Sequence, residues 1–303
     1  MKKPIVSIII SVRDDKRIIN CLNSIFNLGI LEFNESFEVI VIENSTIPSL
    51  KKDICEFPVK YFFEPKLGMG YARNTGLANA TGDFFVFTDA DCVVSPGWLS
   101  NILKAFNEDS VCIVGGCIFK YNPQSDVENF QRDLVIGCQT EVQYLPPIYH
   151  KPYVVTANAA YRASAIRAVG GFDPNFFSGG DVDLAWRVGN LGYRAVIAES
   201  AIVYHACRPT YTAVFKQFYT YSQGHALLFK KFRTQTGKIA CFNWYPFIGI
   251  VNTLPLFILI TIKYLLNKEY KEEFGNLLFR FIEYTALIWG AFIGAIKYKV
   301  PYI

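Results

Sequence analysis

The chain has 303 residues, enough for one large domain with a short appendage. It is 51% apolar and 16% aromatic, more hydrophobic than an ordinary soluble domain, and its formal net charge is only +4. That charge is too small to argue for a nucleic-acid partner, and it suits a surface that meets anionic lipid. The eight cysteines show no CxxC pair and no zinc spacing, so a reducing, cytosolic setting is the simplest reading. The apolar run Ile5 to Ile10 is too short for a signal-peptide core, and no cleavable signal is expected.

In chain order, the β-branched run Ile5 to Ile10 predicts a buried parallel strand. After the polar turn Arg13-Asp14-Asp15-Lys16, Ile18, Ile19, Leu22, Ile25 and Phe26 recur at helical spacing. Phe37 to Ile42 is a second strand ending in Glu43-Asn44-Ser45-Thr46, and Val59 to Phe63 is a third. A helical segment from Tyr71 to Ala78 leads to the strand Phe84 to Thr88, which ends abruptly in Asp89-Ala90-Asp91. Alternating strands and helices of this kind predict a largely parallel α/β sheet. Each strand of this half ends in a polar cluster, so Asp14, Glu43, Asp89 and Asp91 are expected to converge at one sheet edge, where open α/β sheets bind ligands.

Beyond it, Pro96 to Phe106 reads as a helix and Val111 to Phe119 as a strand. Residues 122–152 carry little pattern: 126–133 looks helical and Tyr144-Leu145-Pro146-Pro147 is a loop that could cover a site. Thr156 to Arg162 leads to a short helix over Ser164 to Val169, then the tight turn Gly170-Gly171-Phe172-Asp173. Gly179-Gly180 opens a helix to Gly192, with Asp181 as an N-cap candidate. Ala195 to Ile197 and Ala201 to Tyr204 are strand-like, and His205 follows the second.

The tail changes character. Tyr211 to Arg233 is basic and aromatic, an amphipathic connection over 211–238. Ile239 to Ile262 carries no charge and exceeds the ~20 residues of a membrane span. A second run, Tyr284 to Ile296, is roughly 20 Å of helix, short of a ~30 Å hydrocarbon core, and contains the close-packing pattern Gly290-xxx-Gly294. Basic residues flank both outer ends, which fits a hairpin with both ends cytoplasmic; helices lying in the interface and a buried helical subdomain are the alternatives.

An Asp-x-Asp at a strand end supplies hard oxygen ligands suited to Mg²⁺ or Mn²⁺ with a diphosphate. His205, at another strand terminus, is a candidate third ligand, although a lone His is more often structural. Asp181, in a Gly-rich turn, is a candidate general base, and its plain alternative is helix capping. Arg73 and Arg187 are candidate phosphate partners, and Arg187 can instead pair with Asp183 four residues before it.

Taken together, the ordered motifs Val6-Ser7-Ile8-Ile9-Ile10, Val39 to Thr46, Ala72-Arg73-Asn74-x-Gly76, Thr88-Asp89-Ala90-Asp91, Gly170-Gly171-Phe172-Asp173 and Gly180-Asp181-Val182-Asp183-Leu184-x-x-Arg187 resemble those of family 2 glycosyltransferases over roughly residues 4–207. The resemblance implies a GT-A fold: a mixed, mostly parallel sheet flanked by helices over residues 1–210. To this are added the connection 211–238 and a C-terminal helical membrane segment, 239–303. It also implies an inverting, metal-dependent transferase that uses a nucleotide-diphosphate sugar donor and Mn²⁺ or Mg²⁺. Asp14, Glu43, Arg73 and Asp89 would then line the nucleotide, Asp91 would be the direct metal ligand with Asp89 near the metal, His205 would be a further ligand, and Asp181 the catalytic base.

Three positions depart from the family pattern. The first strand ends in Ser11-Val12-Arg13-Asp14, the usual acidic pair after the second strand is Glu43-Asn44, and the usual Glu before the base is Gly180. The expected setting is the inner face of the cell membrane, with a glycan or lipid-linked acceptor in cell-envelope polysaccharide synthesis. A polyprenyl-phosphate glycosyltransferase and a non-catalytic, sugar-nucleotide-binding membrane scaffold are the competing readings.

Overall fold

A computed structural model describes residues 5–30, 33, 36–131, 153–236 and 242–302. The loop expected at 144–147 and the start of the apolar run at 239–241 lie outside the described residues. The chain divides into two compact units, one drawn mainly from residues 5–121 and 153–206, the other from 122–131 and 207–302.

The first unit is built on an eight-stranded sheet ordered β3-β2-β1-β4-β7-β6-β8-β5. The strands are β1 (Val6–Val12), β2 (Phe37–Glu43), β3 (Val59–Phe63), β4 (Phe84–Asp89), β5 (Cys92–Val94), β6 (Val111–Lys120), β7 (Asn158–Arg162) and β8 (Arg194–His205). β3, β2, β1 and β4 run parallel, as their apolar β-branched composition predicts, and every residue of β1 is buried. The register sets Glu43 opposite Val12 and Asp89 opposite Ser11. The acidic strand ends therefore line up along one edge, as their spacing implies.

The other half of the sheet is mixed. β7 is antiparallel to both β4 and β6, β6 and β8 are parallel, and β5 is antiparallel to β8. Sequence patterning misses β7, whose Ala159-Ala160 carries little strand propensity; pairing on both sides fixes it. β5 is too short to show a period. The two strand-like runs before His205 form one strand, β8, whose register against β6 shifts between Gly116 and Cys117. Asn158 sits buried at that irregularity, donating to the carbonyls of Cys117 and Ala201 at 2.8 Å each and accepting from the Trp98 indole at 2.9 Å.

The helices of this unit are α1 (Ile18–Ser24, continuing as a π-helical turn Ile25–Gly29), α2 (Met69–Asn79) and α3 (Trp98–Lys104). After α4 (Asp126–Phe130) in the second unit, α5 (Ala163–Ala168) and α6 (Gly180–Gly189) complete the set. On one face of the sheet Ile9, Ile40, Ile42, Phe85, Phe87 and Tyr161 form a core with α2, α5 and α6 residues such as Ala72, Ile166 and Leu184. The opposite flank is covered by α1 against β5 and α3 against β6 and β8. Cys21, Cys55, Cys92 and Cys112 are free thiols, but Cys117 is disulfide-bonded, which departs from the expectation of a fully reduced set.

The second unit holds α7 (Tyr211–Thr236), α8 (Trp244–Leu266) and α9 (Lys271–Tyr298). The 284–296 run is not a short helix of its own: it is the C-terminal half of the 28-residue α9. Both α8 and α9 are long and apolar enough to cross a bilayer. α8 leaves Val251, Ile258, Leu265 and Leu266 exposed, whereas α9 packs along α7 and carries a part-buried Arg280–Glu283 pair at 3.1 Å.

The α7–α9 contact depends on Gly290 and Gly294. A Cβ at 290 would strike the Tyr219 carbonyl, and one at 294 would lie 2.8 Å from the Ala226 Cβ. The Ser222 hydroxyl also donates to the Leu287 carbonyl at 2.6 Å. Gly290→Leu is expected to lower the stability of this unit by about 1–3 kcal/mol or more, read by thermal melting, because the two backbones must separate.

Candidate active site

Three of the sequence motifs form one hydrogen-bonded hub behind the carboxyl edge of the sheet. α2 lies directly on β1 and β2, since a Cβ at Gly76 would sit 2.9 Å from Ile42. Asn74 then clamps the turn before α6: its amide donates to the Phe172 carbonyl at 2.8 Å and its carbonyl accepts the Phe172 N–H at 2.9 Å. Gly171 takes φ 79°, and a side chain there would collide with Asn74. From the other side Arg187 donates to the carbonyls of Val169 and Gly171 at 2.7 Å each and pairs with the buried Asp183 at 2.7 Å. Arg187 is therefore a structural clamp rather than a phosphate partner.

The hub aims Arg73. Its guanidinium lies over the Phe172 ring, 5.4 Å from the centroid, and reaches the Asp89 carboxylate at 3.4 Å. Asp181 belongs to the same electrostatic group. Burial pushes its carboxyl above the usual value, Asp89 adds to this, and Arg73 with the Val182 N–H opposes it without reversing it. The N-cap of α6 is Gly179, at φ 78°, so Asp181 is not the cap that its position invites. It lies in the first turn, where the helix dipole favours an acid. Tyr161, on β7, contributes a buried hydroxyl without a hydrogen-bond partner among the described residues, raised in pKa by burial and by Asp181.

Nothing in the packing of the described residues demands the glycine that replaces the family's acid at position 180. A Cβ there would meet only the Phe176 Cβ, at 3.5 Å. Gly180→Glu is expected to fold normally and to raise the Asp181 carboxyl further by like-charge repulsion. The acid limb of a pH–rate profile should then move to higher pH.

Asp91 lies in the turn between β4 and β5. Its Oδ1 is 3.4 Å from His205 Nε2 and its Oδ2 is 3.5 Å from Arg17. The backbone fixes the turn, since the Ala206 N–H donates to the Asp91 carbonyl at 3.1 Å. Asp91, Cys92 and His205 each offer one ligand atom, and these atoms all lie within 4.8 Å of one another. An acid, an imidazole and a thiol at that separation fit a divalent cation. The Cys92 thiol is pushed well up by burial and by Asp89 and Asp91. Arg17 and Cys92 are not legible in the sequence as site residues: an arginine in a polar loop and a cysteine in an apolar run carry no motif.

Asp14 follows β1 in a left-handed conformation, φ 49°, and is exposed. Glu43 is fully buried and its carboxylate is saturated by its own chain: Tyr61 at 2.6 Å, the Ser49 N–H at 2.7 Å and hydroxyl at 3.0 Å, the Leu50 N–H at 3.1 Å and Ser45 at 3.2 Å. Burial alone would raise its pKa, but the hydrogen bonds from Tyr61, Ser49 and Leu50 prevail and hold it below the ordinary value. Asn44 likewise binds the carbonyls of Glu64 and Lys66 at 2.9 Å each and accepts the Gly68 N–H at 2.8 Å. These two residues shape the loops beside the site.

Because the folded pKa of Glu43 is depressed, its stabilisation is present above the unfolded value and is lost as pH falls through the folded one. Tyr61→Phe should remove the shortest of these bonds, cost about 1–3 kcal/mol at neutral pH by leaving a buried acceptor short of a donor, and lose that difference in acid melts.

A mixed sheet flanked by helices, with the ends of its parallel strands carrying acids at one edge, is the architecture of a GT-A transferase. Residues 7–170 match the glycosyl transferase family 2 model, and the chain belongs to that family. The pre-mycofactocin glycosyltransferase of Mycobacterium tuberculosis is 37% identical over 177 residues, covering 55% of this chain and 37% of its own length. The chain thus spans well under half of that relative. Glycosyltransferase AglE of Haloferax volcanii is 28% identical over 222 residues, covering 71% of each chain. Among solved structures, the Pyrobaculum calidifontis mannosyltransferase PcManGT, in complex with GDP-Man and Mn²⁺, superposes with a TM-score of 0.63 at 17% identity, covering 95% of this chain and 88% of that one. That likeness concerns the fold.

Proposed function

We propose that the protein is an inverting glycosyltransferase that moves a sugar from a nucleotide-diphosphate donor to a hydroxyl of a glycan or lipid-linked acceptor at a membrane surface. The observation that carries this reading is the grouping of Arg73, Asp89 and the raised-pKa Asp181 beside the Asp91–His205 pair. PcManGT, which has the same fold, binds GDP-Man and Mn²⁺.

In this reading Asp91 and His205 hold a divalent cation, Mn²⁺ or Mg²⁺, which when bound neutralises charge on the departing diphosphate. Asp89 approaches the ribose and the cation, and Arg73, already held against Asp89, stands by the nucleotide phosphates. Asp14, exposed at the end of β1, lines the nucleotide pocket. Glu43 acts on that pocket indirectly, by fixing the loop from Ser45 to Leu50. Asp181 accepts the proton of the acceptor hydroxyl as its oxygen bonds to the sugar C1 from the face opposite the leaving group. The C1–O bond to the diphosphate breaks, and its electron pair leaves with the nucleoside diphosphate.

The exposed apolar face of α8 supports membrane contact, with Trp244 and Tyr245 at one end and Lys263 and Lys268 at the other. The charged pair inside α9 and its packing on α7 favour α8 as the lipid-facing element.

A thermal-shift panel tests the donor class: Mn²⁺ with GDP, UDP, dTDP and CDP in turn. At about 100 times the dissociation constant a ligand stabilises the fold by roughly 2.7 kcal/mol, so the preferred base should stand out. Incubating the corresponding nucleotide sugar with a polyprenyl phosphate in one arm and a lipid-linked glycan in the other then separates a phosphate acceptor from a hydroxyl. Absence of any shift across the panel would sink the donor assignment.

A further inference from the structure

The Asp91–His205 pair has a third neighbour. Cys92 opens β5 directly across from His205 on β8, so the strand pairing, not a flexible loop, sets their separation. Cys92 is a free thiol and only 1% exposed. Ligand atoms about 2.0–2.3 Å from one tetrahedral ion lie roughly 3.3–3.8 Å apart, and the ligand atoms of Asp91, Cys92 and His205 all fall within 4.8 Å of one another. Closing that difference takes a relative movement of at most about 1–1.5 Å, which side-chain rotation can supply. The Cys21 thiol, which donates to the Asp89 carbonyl at 3.5 Å, is not part of this cluster of ligand atoms.

We propose that Cys92 is the third protein ligand of the cation held by Asp91 and His205, and that it makes the site selective for thiophilic divalent ions over Mg²⁺. The inference rests on the reading of Asp91 and His205 as a cation-binding pair. The chemistry is that of the donor set. Carboxylate and water ligands alone suit Mg²⁺ and Mn²⁺ equally well, an imidazole tilts the set towards borderline ions, and a thiolate excludes Mg²⁺ from full coordination. Binding displaces the thiol proton to solvent and involves no redox change. Three protein ligands leave further positions open, as a cation that also meets a diphosphate requires.

Co²⁺ titrated into the full chain is the direct test, because thiolate coordination gives a sulfur-to-cobalt charge-transfer band in the near ultraviolet. The band should appear at one equivalent, be displaced by stoichiometric Zn²⁺ and resist a large excess of Mg²⁺. Cys92→Ser should abolish the band and weaken Co²⁺ binding at least about tenfold, the lower end of what even outer-shell partners contribute. Cys21→Ser and Cys55→Ser should leave it intact. The Zn²⁺ and Mg²⁺ competition on the native chain decides between the outcomes even if Cys92→Ser folds poorly. Co²⁺ binding that needs Asp91 and His205 but shows no sulfur band, or a band that survives Cys92→Ser, would overturn the ligand assignment and leave the cation pair standing. Binding indifferent to Asp91→Asn would overturn the pair itself and this inference with it.

Discussion

Asp181→Asn is expected to reduce transfer by about 10²–10⁴-fold while making the unliganded protein more stable at neutral pH. The two effects have one cause. Burial and the nearby Asp89 raise the Asp181 carboxyl above its ordinary value, and Arg73 with the Val182 N–H only partly offsets this. A raised folded pKa means that the protonated form suits the fold better. The stabilising contribution is therefore complete below the unfolded pKa and is lost as pH rises through the folded one. At neutral pH the native chain bears the cost of an ionised, half-buried carboxylate, and the neutral amide does not.

Thermal melts of the two proteins should thus diverge at neutral pH and converge in acid. The same shift dictates that native activity climbs as pH rises through the raised Asp181 value, because only the carboxylate can take the acceptor proton. The amide keeps the side chain's shape, and the Arg187–Asp183 clamp holds α6 independently of it. Loss of activity would therefore report the proton acceptor rather than misfolding. Full activity in the variant would remove Asp181 from the mechanism.

The parallel half of the sheet is readable in the sequence because its strands are continuous apolar runs that stop at acids, and parallel pairing leaves those acids at one edge. The antiparallel half is not, because β7 is held by its neighbours rather than by its own composition, and β5 has three residues. Among the site residues, Asp89, Asp91, Arg73, Asp181 and His205 can be nominated from motif order. Their contacts cannot, since the approach of Asp91 to His205 depends on where β8 delivers the imidazole. Glu43 shows the limit of a motif: position and residue type mark it for a ligand, yet its oxygens are occupied by Tyr61, Ser49 and Leu50. Composition likewise marks α8 and the Gly290–Gly294 pattern, but only packing shows that the latter serves α7 within its own unit.

Asp91→Asn should abolish cation-dependent stabilisation by a nucleoside diphosphate and cut transfer by about 10²–10³-fold or more. Removing a direct ligand should cost at least the 10–100-fold in metal affinity typical of an outer-shell partner. Lewis-acid stabilisation of a leaving diphosphate amounts to several kcal/mol, and each ~1.4 kcal/mol is tenfold in rate. The fold should survive, because the Asp91 turn is fixed through its backbone carbonyl and Ala206, and Arg17 keeps its 2.6 Å pair with Asp15 after losing the 3.5 Å contact with Asp91. His205→Ala should weaken the same ion less severely, since Asp91 remains.

The informative comparison is the melting shift produced by Mn²⁺ with the preferred nucleoside diphosphate in native and variant protein. The shift should vanish in Asp91→Asn but persist in Asp181→Asn, because the proposed mechanism puts the first residue on the donor side of the reaction and the second on the acceptor side. A variant pair that lost or kept the shift together would mean that the two carboxylates serve one subsite, contrary to the roles proposed for them.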